Sequence, residues 1–321
     1  MVYEERSNIV PAHDLARRNR AATRHTTREH EDALLLAEKS LAINPKDAYE
    51  WYRKGAALSN LNRYEEAGKS FDKALEIQPD LTIGLYNKGS VLAALGEYNE
   101  ALECFDKAIE IDPNDPRAWY HRGAALVNNL LDYEEAIASL DKSIELDPNT
   151  NPAAWTDRGA ALANLGRYEE ALKSYDRALE IDPSDPYSVS LKGAGLLKLK
   201  EYEKAINYLN KAIELDPIDP VPWFNKGVAF NNLRRYKEAV ICYDKVIEIG
   251  KNLAGAWHNK GISLANLGRY KEAIESYDQS LAINPENAET LYEKAISLSN
   301  LGRNRDAEKL VNKVREMGLN V

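Results

Sequence analysis

Cysteine is scarce in this sequence, and it has neither a long apolar run nor an excess of positive charge. Only two cysteines, Cys104 and Cys242, occur among 321 residues, too few for a disulfide framework. No apolar stretch approaches the length of a transmembrane helix, and the N-terminus has no export-signal pattern. The formal net charge is −9, whereas a general nucleic-acid binder needs a basic surface. These absences predict a cytoplasmic protein that binds neither membranes nor nucleic acids.

The residue patterns of catalytic and metal sites are also missing from the sequence. Its five histidines have no metal-ligand spacing. No phosphate-binding loop, nucleophile elbow or paired-cysteine motif is present. We therefore predict no catalytic residue, no metal and no cofactor, and expect that the protein is not an enzyme.

One 34-residue segment, PAAWTDRGAALANLGRYEEALKSYDRALEIDPSD from Pro152 to Asp185, recurs along almost the whole chain. We number its positions 1 to 34 from Pro152. Position 17 is tyrosine in seven repeats, position 20 is alanine in every repeat, and all 5 tryptophans occupy position 4. Position 8 is glycine in the same seven repeats, at Gly55, Gly89, Gly123, Gly159, Gly193, Gly227 and Gly261.

The apolar positions of each repeat predict two amphipathic helices. Positions 4, 8 and 11 and then 17, 20, 21, 24, 27 and 28 recur at three- and four-residue steps. Glycine at position 15, as in Gly96 and Gly166, suits the end of the first helix, and proline at position 32 ends the second. Because glycine inside a helix costs roughly 1 kcal/mol relative to alanine, position 8 predicts close contact between the two helices. Repeats must then stack to bury their remaining apolar faces.

The periodic Trp, Gly, Tyr, Ala and Pro resemble the signature of the tetratricopeptide repeat family, in a prokaryotic style. The resemblance covers nearly the whole chain. It implies an all-α fold, a right-handed α-solenoid of tandem helix-turn-helix repeats. It also implies that the first helices line a concave groove in which peptides lie. Cys104 and Cys242, four repeats apart in such a stack, could not pair with each other.

Nine repeats account for the chain after a flexible N-terminal arm, residues 1–13. The predicted solenoid spans residues 14–321 with two inserted residues, both in the fourth repeat at 128–132 and 149–151. The first repeat is degenerate: its first helix, Asp14 to His30, is rich in arginine and is either a polar cap or a patch for an acidic partner. The ninth is a capping repeat with a last helix from Arg305 to Met317. The repeats are 14–47, 48–81, 82–115, 116–151, 152–185, 186–219, 220–253, 254–287 and 288–321.

Aromatic and amide side chains recur on the first helices and are the candidate peptide-binding residues. Position 5 aromatics offer large contact areas at low entropic cost, or else they cover neighbouring repeats. Position 13 asparagines can clamp a peptide backbone or satisfy local backbone groups. Position 6 asparagines resemble the asparagine ladder of the family's sugar-transferase members. The candidates are Tyr52, Tyr86, Tyr120, Phe224 and His258 at position 5, Asn60, Asn128, Asn164, Asn232 and Asn266 at position 13, and Asn87, Asn225 and Asn259 at position 6.

Opposite charges also repeat with the same period. Position 7 is basic in repeats two to nine, and position 25 is aspartate in most repeats. We predict that the aliphatic stem of each position 7 side chain lies on the core while its charged end pairs with position 25. This would make a structural ladder of ion pairs.

These patterns predict a protein-protein interaction scaffold or adaptor that binds a protein or extended peptide in the concave groove. Monomers or weak self-association are expected. Two alternatives remain open: a structural scaffold that self-associates, or a regulatory subunit of a separate enzyme. RNA binding is opposed by the acidic balance and the 34-residue period.

Overall fold

The computed structural model describes residues 25–127, 132–250 and 253–318, and within these ranges every regular element is a helix. The predicted all-α fold is therefore confirmed. In chain order the helices are α1 (His25–Ile43), α2 (Ala48–Asn60), α3 (Tyr64–Ile77), α4 (Thr82–Leu95), α5 (Tyr98–Ile111), α6 (Pro116–Ala125), α7 (Tyr133–Leu146), α8 (Pro152–Asn164), α9 (Tyr168–Ile181), α10 (Pro186–Lys198), α11 (Tyr202–Leu215), α12 (Pro220–Asn232), α13 (Tyr236–Ile249), α14 (Ala254–Asn266), α15 (Tyr270–Ile283), α16 (Ala288–Asn300) and α17 (Asn304–Glu316).

The helices belong to two compact bodies, an N-terminal body (Met1–Ile181) and a C-terminal body (Asp182–Val321). Within each body, the two helices of a repeat pack against each other, and the second helix also packs against the first helix of the next repeat. This is the predicted solenoid arrangement of helix pairs. The insertion at 149–151 lies in the turn before α8, whereas residues 128–131 lie outside the described ranges.

Side-chain caps fix where the first helices begin. Asp47 accepts hydrogen bonds from the backbone N–H groups of Tyr49 and Glu50 at the start of α2. Asp219 caps α12 in the same way, with proline at the first helical position. A polar N-cap satisfies the free N–H groups of a helix start, and proline at the first helical position has no N–H group to satisfy.

A residue with positive φ separates the two helices of most described repeats. Gly96, Gly166, Gly268 and Gly302 have φ values of 87°, 76°, 74° and 75°, as predicted for position 15. In three other repeats position 15 is not glycine but has the same backbone conformation. Asn62, Lys200 and Arg234 occupy it there, with φ of 59°, 62° and 57°. The left-handed conformation costs about 1 kcal/mol or more for most residues with a Cβ atom, although asparagine tolerates it, so the turns at Lys200 and Arg234 carry strain.

Lys200→Gly is expected to raise the free energy of unfolding by up to about 1 kcal/mol, because glycine adopts positive φ without steric cost. Urea unfolding followed by circular dichroism measures the change. The matched control is Lys211→Gly, at an exposed position inside α11, which should lower stability by about 1 kcal/mol. If both variants changed the free energy of unfolding in the same direction, strain at Lys200 would be contradicted.

Glycine at position 8 makes room for the side chain at position 24. A Cβ atom added to Gly89 would lie 2.5 Å from the ring of Phe105, and one added to Gly227 would lie 2.7 Å from the ring of Tyr243. The alanine at position 20 is buried in every described repeat with a complete pair, as at Ala101. Close contact was predicted, but the residue that fills the gap is the large side chain at position 24.

The predicted ion-pair ladder is present in both bodies. Each pair joins position 7 of one repeat to position 25 of the repeat before it. The measured pairs are Lys54 with Glu38 (3.0 Å), Lys88 with Asp72 (2.6 Å), Arg122 with Asp106 (2.7 Å), Arg158 with Asp141 (2.5 Å), Lys260 with Asp244 (2.7 Å), and Lys294 with Asp278. The cationic side chains are largely buried while the carboxylates are half-exposed. The ladder therefore lies along the joints between repeats.

Tryptophan at position 4 makes a second joint between repeats. The indole Nε1 of Trp51 donates a hydrogen bond to the carbonyl oxygen of Pro45 at 2.9 Å. Trp119 bonds to Pro113 at 2.9 Å in the same way. Trp155 and Trp223 make the same bond, so four tryptophans satisfy a carbonyl oxygen just after the preceding second helix.

The first repeat differs from the predicted pair of helices. The predicted first helix ended at His30, but α1 continues unbroken from His25 to Ile43. This segment contains no glycine or proline that would favour a break. Leu36 of α1 is 53% exposed, whereas Ser70, its counterpart at position 23 of the next repeat, is 3% exposed. The predicted arm (1–13) and residues 14–24 lie outside the described ranges.

The last helix, α17, which we predict to be a cap, is buried on one face and polar on another. Ala307 and Val314 are buried, and α17 packs against α16 of its own repeat, while Glu308 and Arg315 are exposed. Polar residues therefore occupy positions where a further repeat would pack.

Candidate functional site

The aromatic side chains at position 5 differ in exposure within the N-terminal body. Tyr52 and Tyr120 are half-buried, and the ring of Tyr52 lies 6.1 Å from that of Phe71 and 5.4 Å from that of Tyr49. Tyr86 is only 6% exposed, so the prediction of an exposed row is wrong at this residue. Its ring instead packs against the neighbouring repeat, which was the alternative.

Tyr86 belongs to a layered cluster with Phe105 of its own repeat and with two residues of the next repeat, His121 and Arg117. Its ring stacks on His121 at 5.5 Å, and His121 stacks on Phe105 at 6.0 Å. The guanidinium of Arg117 covers the other part of the Tyr86 ring, 5.1 Å from its centroid. Burial raises the pKa of Tyr86 to about 12 and lowers the pKa of His121 to about 4. Both side chains are therefore neutral at physiological pH.

Arg117 is held by a buried carboxylate. Its Nε and NH2 groups donate to the two oxygens of Asp115 at 2.9 and 2.8 Å. Although burial alone would raise the pKa of Asp115, the hydrogen bonds from Arg117 lower it below its usual value. The Arg117 side chain remains 57% exposed, which leaves its other N–H groups accessible to a ligand.

In the C-terminal body, Phe224 and His258 are the position 5 candidates. Phe224 is half-buried and meets the ring of Tyr243 edge-on at 5.8 Å. His258 is 4% exposed, and its Nδ1 lies 2.9 Å from the hydroxyl of Thr290. Burial lowers the pKa of His258 to about 4. The prediction of an exposed ring is therefore also wrong for His258, which is a neutral side chain packed in the interior.

The asparagines at positions 13 and 6 share one arrangement. In each measured case the side-chain Nδ2 donates to the carbonyl oxygen four residues earlier on the same helix. The pairs are Asn164 to Ala160 (2.9 Å), Asn232 to Val228 (2.9 Å), Asn266 to Ile262 (2.8 Å), Asn87 to Ile83 (2.7 Å) and Asn259 to Gly255 (2.9 Å). These asparagines thus satisfy local backbone groups, which was one of the two roles that the sequence left open.

The local bonds also orient the amides for a ligand. An asparagine side chain has two N–H donors and an oxygen with two lone pairs, so one donor bond leaves further capacity. Asn60, Asn164, Asn232 and Asn266 are exposed, and Asn225 is half-buried. Asn128 lies outside the described residues. A bound polypeptide could therefore use these amides through its own N–H and C=O groups.

Residues outside the periodic signature also contribute to these surfaces. Tyr49 is 55% exposed beside Tyr52, and Arg117 projects above Tyr86. Both occupy position 2, where residue type varies between repeats, so the repeat pattern gave no signal for them. Among the described residues, no cluster of His, Cys, Asp or Glu is arranged to bind a metal ion.

No helix in the described part of the chain combines the length and apolarity that crossing a bilayer requires. Both cysteines are free and buried, and burial raises the pKa of Cys242 to about 11. The two thiols therefore pack in the interior and form no disulfide, in agreement with the prediction that they do not pair.

Family models match most of the chain. Models described as tetratricopeptide repeat match residues 48–81, 116–150, 152–185, 187–219, 208–241, 254–287 and 276–309. A further model, described as TPR repeat, matches residues 89–129. No curated protein matches the chain.

Many solved structures share this arrangement of helices. The chain is similar to the Cut9-Hcn1 hetero-tetramer of the APC/C, at 21% identity and a TM-score of 0.56 over 89% of this chain and 60% of that chain. It is also similar to YrrB, titled a TPR protein with an unusual peptide-binding site, at 29% identity and a TM-score of 0.47 over 58% of this chain and 95% of that one. MamA from Desulfovibrio magneticus RS-1 is 21% identical, with a TM-score of 0.50 over 54% of this chain and 97% of that one.

Proposed function

Because the chain belongs to the tetratricopeptide repeat family and is therefore a protein-interaction scaffold, we propose that it holds a protein or extended peptide on its first helices. The concave groove implied by the family is the site in this proposal. The groove residues are the half-buried aromatics Tyr52, Tyr120 and Phe224 with the amides at positions 6 and 13. The two free, buried thiols support a cytoplasmic location.

The observation that carries the proposal is the repeated bond from each asparagine to its own helix. Asn164 and Asn266 are exposed, yet each is held by the carbonyl oxygen four residues earlier. A side chain already fixed in one orientation loses less entropy on binding than a free one. Its remaining donor and acceptor match the two groups that every peptide unit presents.

A capture experiment with charge-matched variants tests the proposal. The first-helix variant carries Asn60→Arg, Asn164→Arg and Asn266→Arg. The second-helix variant carries Asn99→Arg, Asn207→Arg and Asn312→Arg, also at exposed positions. Both add the same charge. We expect a partner from the source lysate, identified by mass spectrometry, to bind the natural chain and the second-helix variant, and to be reduced at least fivefold on the first-helix variant.

Other outcomes would contradict the proposal. If both variants lose the partner equally, charge rather than the first-helix surface explains the loss. If every form of the chain retains only copies of itself, the self-associating scaffold is correct. Thermal unfolding of the three proteins shows whether any loss follows from misfolding.

A further inference from the structure

One side of α1 is left uncovered among the described residues. In each later repeat, this side of the second helix packs against the first helix of the same repeat, and the alanine at position 20 is buried. Its counterpart in α1, Ala33, is exposed. Ile43 at position 30 is 88% exposed, whereas Ile77, its counterpart in the next repeat, is 40% exposed. Among the described helices, α1 packs against α2, which covers its other side.

The uncovered side of α1 has an apolar stripe and two carboxylates. Ala33, Leu36 and Ile43 are separated by three and seven residues, so they share one side of the helix, which we call the open face. Glu29 and Asp32 lie on the same side toward the start of α1, four residues before Ala33 and Leu36, and both are exposed. Single exposed aliphatic residues need no explanation, but a continuous stripe of them indicates a contact surface.

The start of α1 sets a limit on what can cover this face. The second helices of the other repeats begin at position 17, as α3 does at Tyr64, but α1 begins five residues earlier, at His25. The extra residues include positions 14 to 16, which form the turn between the two helices elsewhere, as at residues 61–63. A first helix in the usual register therefore has no turn into α1. Any first helix supplied by this chain must end before His25.

The sequence before α1 contains an apolar stripe of its own. Residues 1–24 lie outside the described ranges. In this part of the sequence Ala12, Leu15 and Ala16 recur at three- and four-residue steps, the spacing of one helix face, and Pro11 suits the first turn of a helix. A helix over residues 11–21 would be about 16 Å long, which equals the rise along α1 from His25 to Leu36. Three residues then remain for the turn, as many as in the other repeats.

The charges of this segment complement those of the open face. Residues 14–24 contain four arginines and one aspartate, a local excess of three positive charges. In an antiparallel pair joined by a short turn, the last residues of the first helix lie beside the first residues of the second. Arg17 and Arg18 would then lie beside the start of α1, where Glu29 and Asp32 are exposed. Opposite charges at these places favour docking, each pair weakly because it is exposed.

We propose that residues 11–21 dock as a helix on the open face, antiparallel to α1, with the turn at residues 22–24. The apolar stripe of the segment contacts Ala33 and Leu36, and its arginines face the two carboxylates. The arginine-rich segment therefore serves as a cap that covers α1 and not as a patch for an acidic partner, which was the other role that the sequence left open.

Thiol alkylation of the full chain tests this docking. Ala33→Cys places a thiol on the open face, and Ala42→Cys places one on the opposite side of α1, because nine residues make two and a half helical turns. Both alanines are exposed in the described structure. The natural cysteines, Cys104 and Cys242, are buried, and the natural chain gives their rate. With iodoacetamide, the Ala33→Cys protein should react at least about tenfold more slowly than the Ala42→Cys protein, because the segment must open first.

Charge reversal separates docking of this segment from burial of the thiol by other means. Adding Arg17→Glu with Arg18→Glu to the Ala33→Cys protein should raise its alkylation rate about fivefold or more, because two attractions become repulsions. Further addition of Glu29→Arg with Asp32→Arg should restore the slow rate, since opposite charges then face each other again. Restoration is specific to this pairing and would not follow from misfolding.

The matched control, Lys309→Glu with Lys313→Glu, makes the same change of charge at exposed positions of α17 and should leave the rate unchanged. Equal alkylation rates of the Ala33→Cys and Ala42→Cys proteins would overturn the inference, and so would a rate that ignores the arginine reversal. Protection that grows with protein concentration would assign the open face to a second copy of the chain instead. The proposed function is independent of these results, because the open face lies on a second helix.

Discussion

Ala101→Trp is expected to divide the unfolding of the chain into one more step than the natural protein shows. Ala101 is fully buried where α4 and α5 meet, in a cluster with Tyr86, Phe105 and Ala125. An indole cannot fit there without separating the helices, at a cost of about 3 kcal/mol. Because each repeat is stabilised mainly by its neighbours, the flanking repeats of the N-terminal body should then unfold separately.

Urea titration followed by circular dichroism and tryptophan fluorescence measures the number of transitions. Ala94→Trp adds the same side chain at an exposed position of α4 and should unfold like the natural chain. An Ala101→Trp protein with the natural number of transitions and the natural midpoint would show that this helix contact is not tight.

His258→Phe is expected to remove a large pH dependence of stability. The pKa of buried His258 is about 4, whereas an unfolded histidine titrates near 6.5. Between these values the unfolded chain binds more protons, so stability falls as pH falls from about 6.5 to about 4. The stabilisation is fully present above pH 6.5, and His258 accounts for a loss of about 3 kcal/mol by pH 4.

The measurement compares the free energy of unfolding of the two proteins at several pH values. Acidic side chains titrate in both, so only the difference between the proteins reports His258. This difference should be constant above pH 7 and shift in favour of the variant as the pH falls. His121, whose pKa is also about 4, remains in both proteins and cancels. A difference that stays constant down to pH 4 would mean that His258 is solvated.

Much of the fold could be predicted because the physical cause of each feature lies within one repeat or at one repeated joint. Glycine at position 8, the N-cap before proline and the ion pair between positions 7 and 25 each depend on residues that recur with the period. The first repeat is the exception. Its α1 lacks any residue that breaks a helix, and the repeat signature is too degenerate there to locate the turn.

The candidate site was less predictable because burial at position 5 depends on residues of the next repeat that do not recur. Arg117 covers Tyr86, and Thr290 bonds to His258. Neither belongs to the periodic signature. Tyr52 and Tyr86 therefore look equivalent in the sequence, although only Tyr86 is buried. The hydrogen bonds from the asparagine side chains to their own helices could be predicted, because the carbonyl oxygen four residues earlier is a nearby acceptor.

The two joints between repeats have a consequence for how such a chain can change in length. In six measured cases a repeat sends a cation from position 7 to position 25 of its predecessor, and in four measured cases it sends an indole from position 4 to the carbonyl oxygen at position 32. A duplicated repeat would find both acceptors on any predecessor that has an acidic residue at position 25 and the proline carbonyl at position 32, as repeats two to five do. Gain or loss of a whole 34-residue repeat at such a place requires no compensating substitution at the joint. Gain or loss of part of a repeat would break the ion pair and the indole hydrogen bond together.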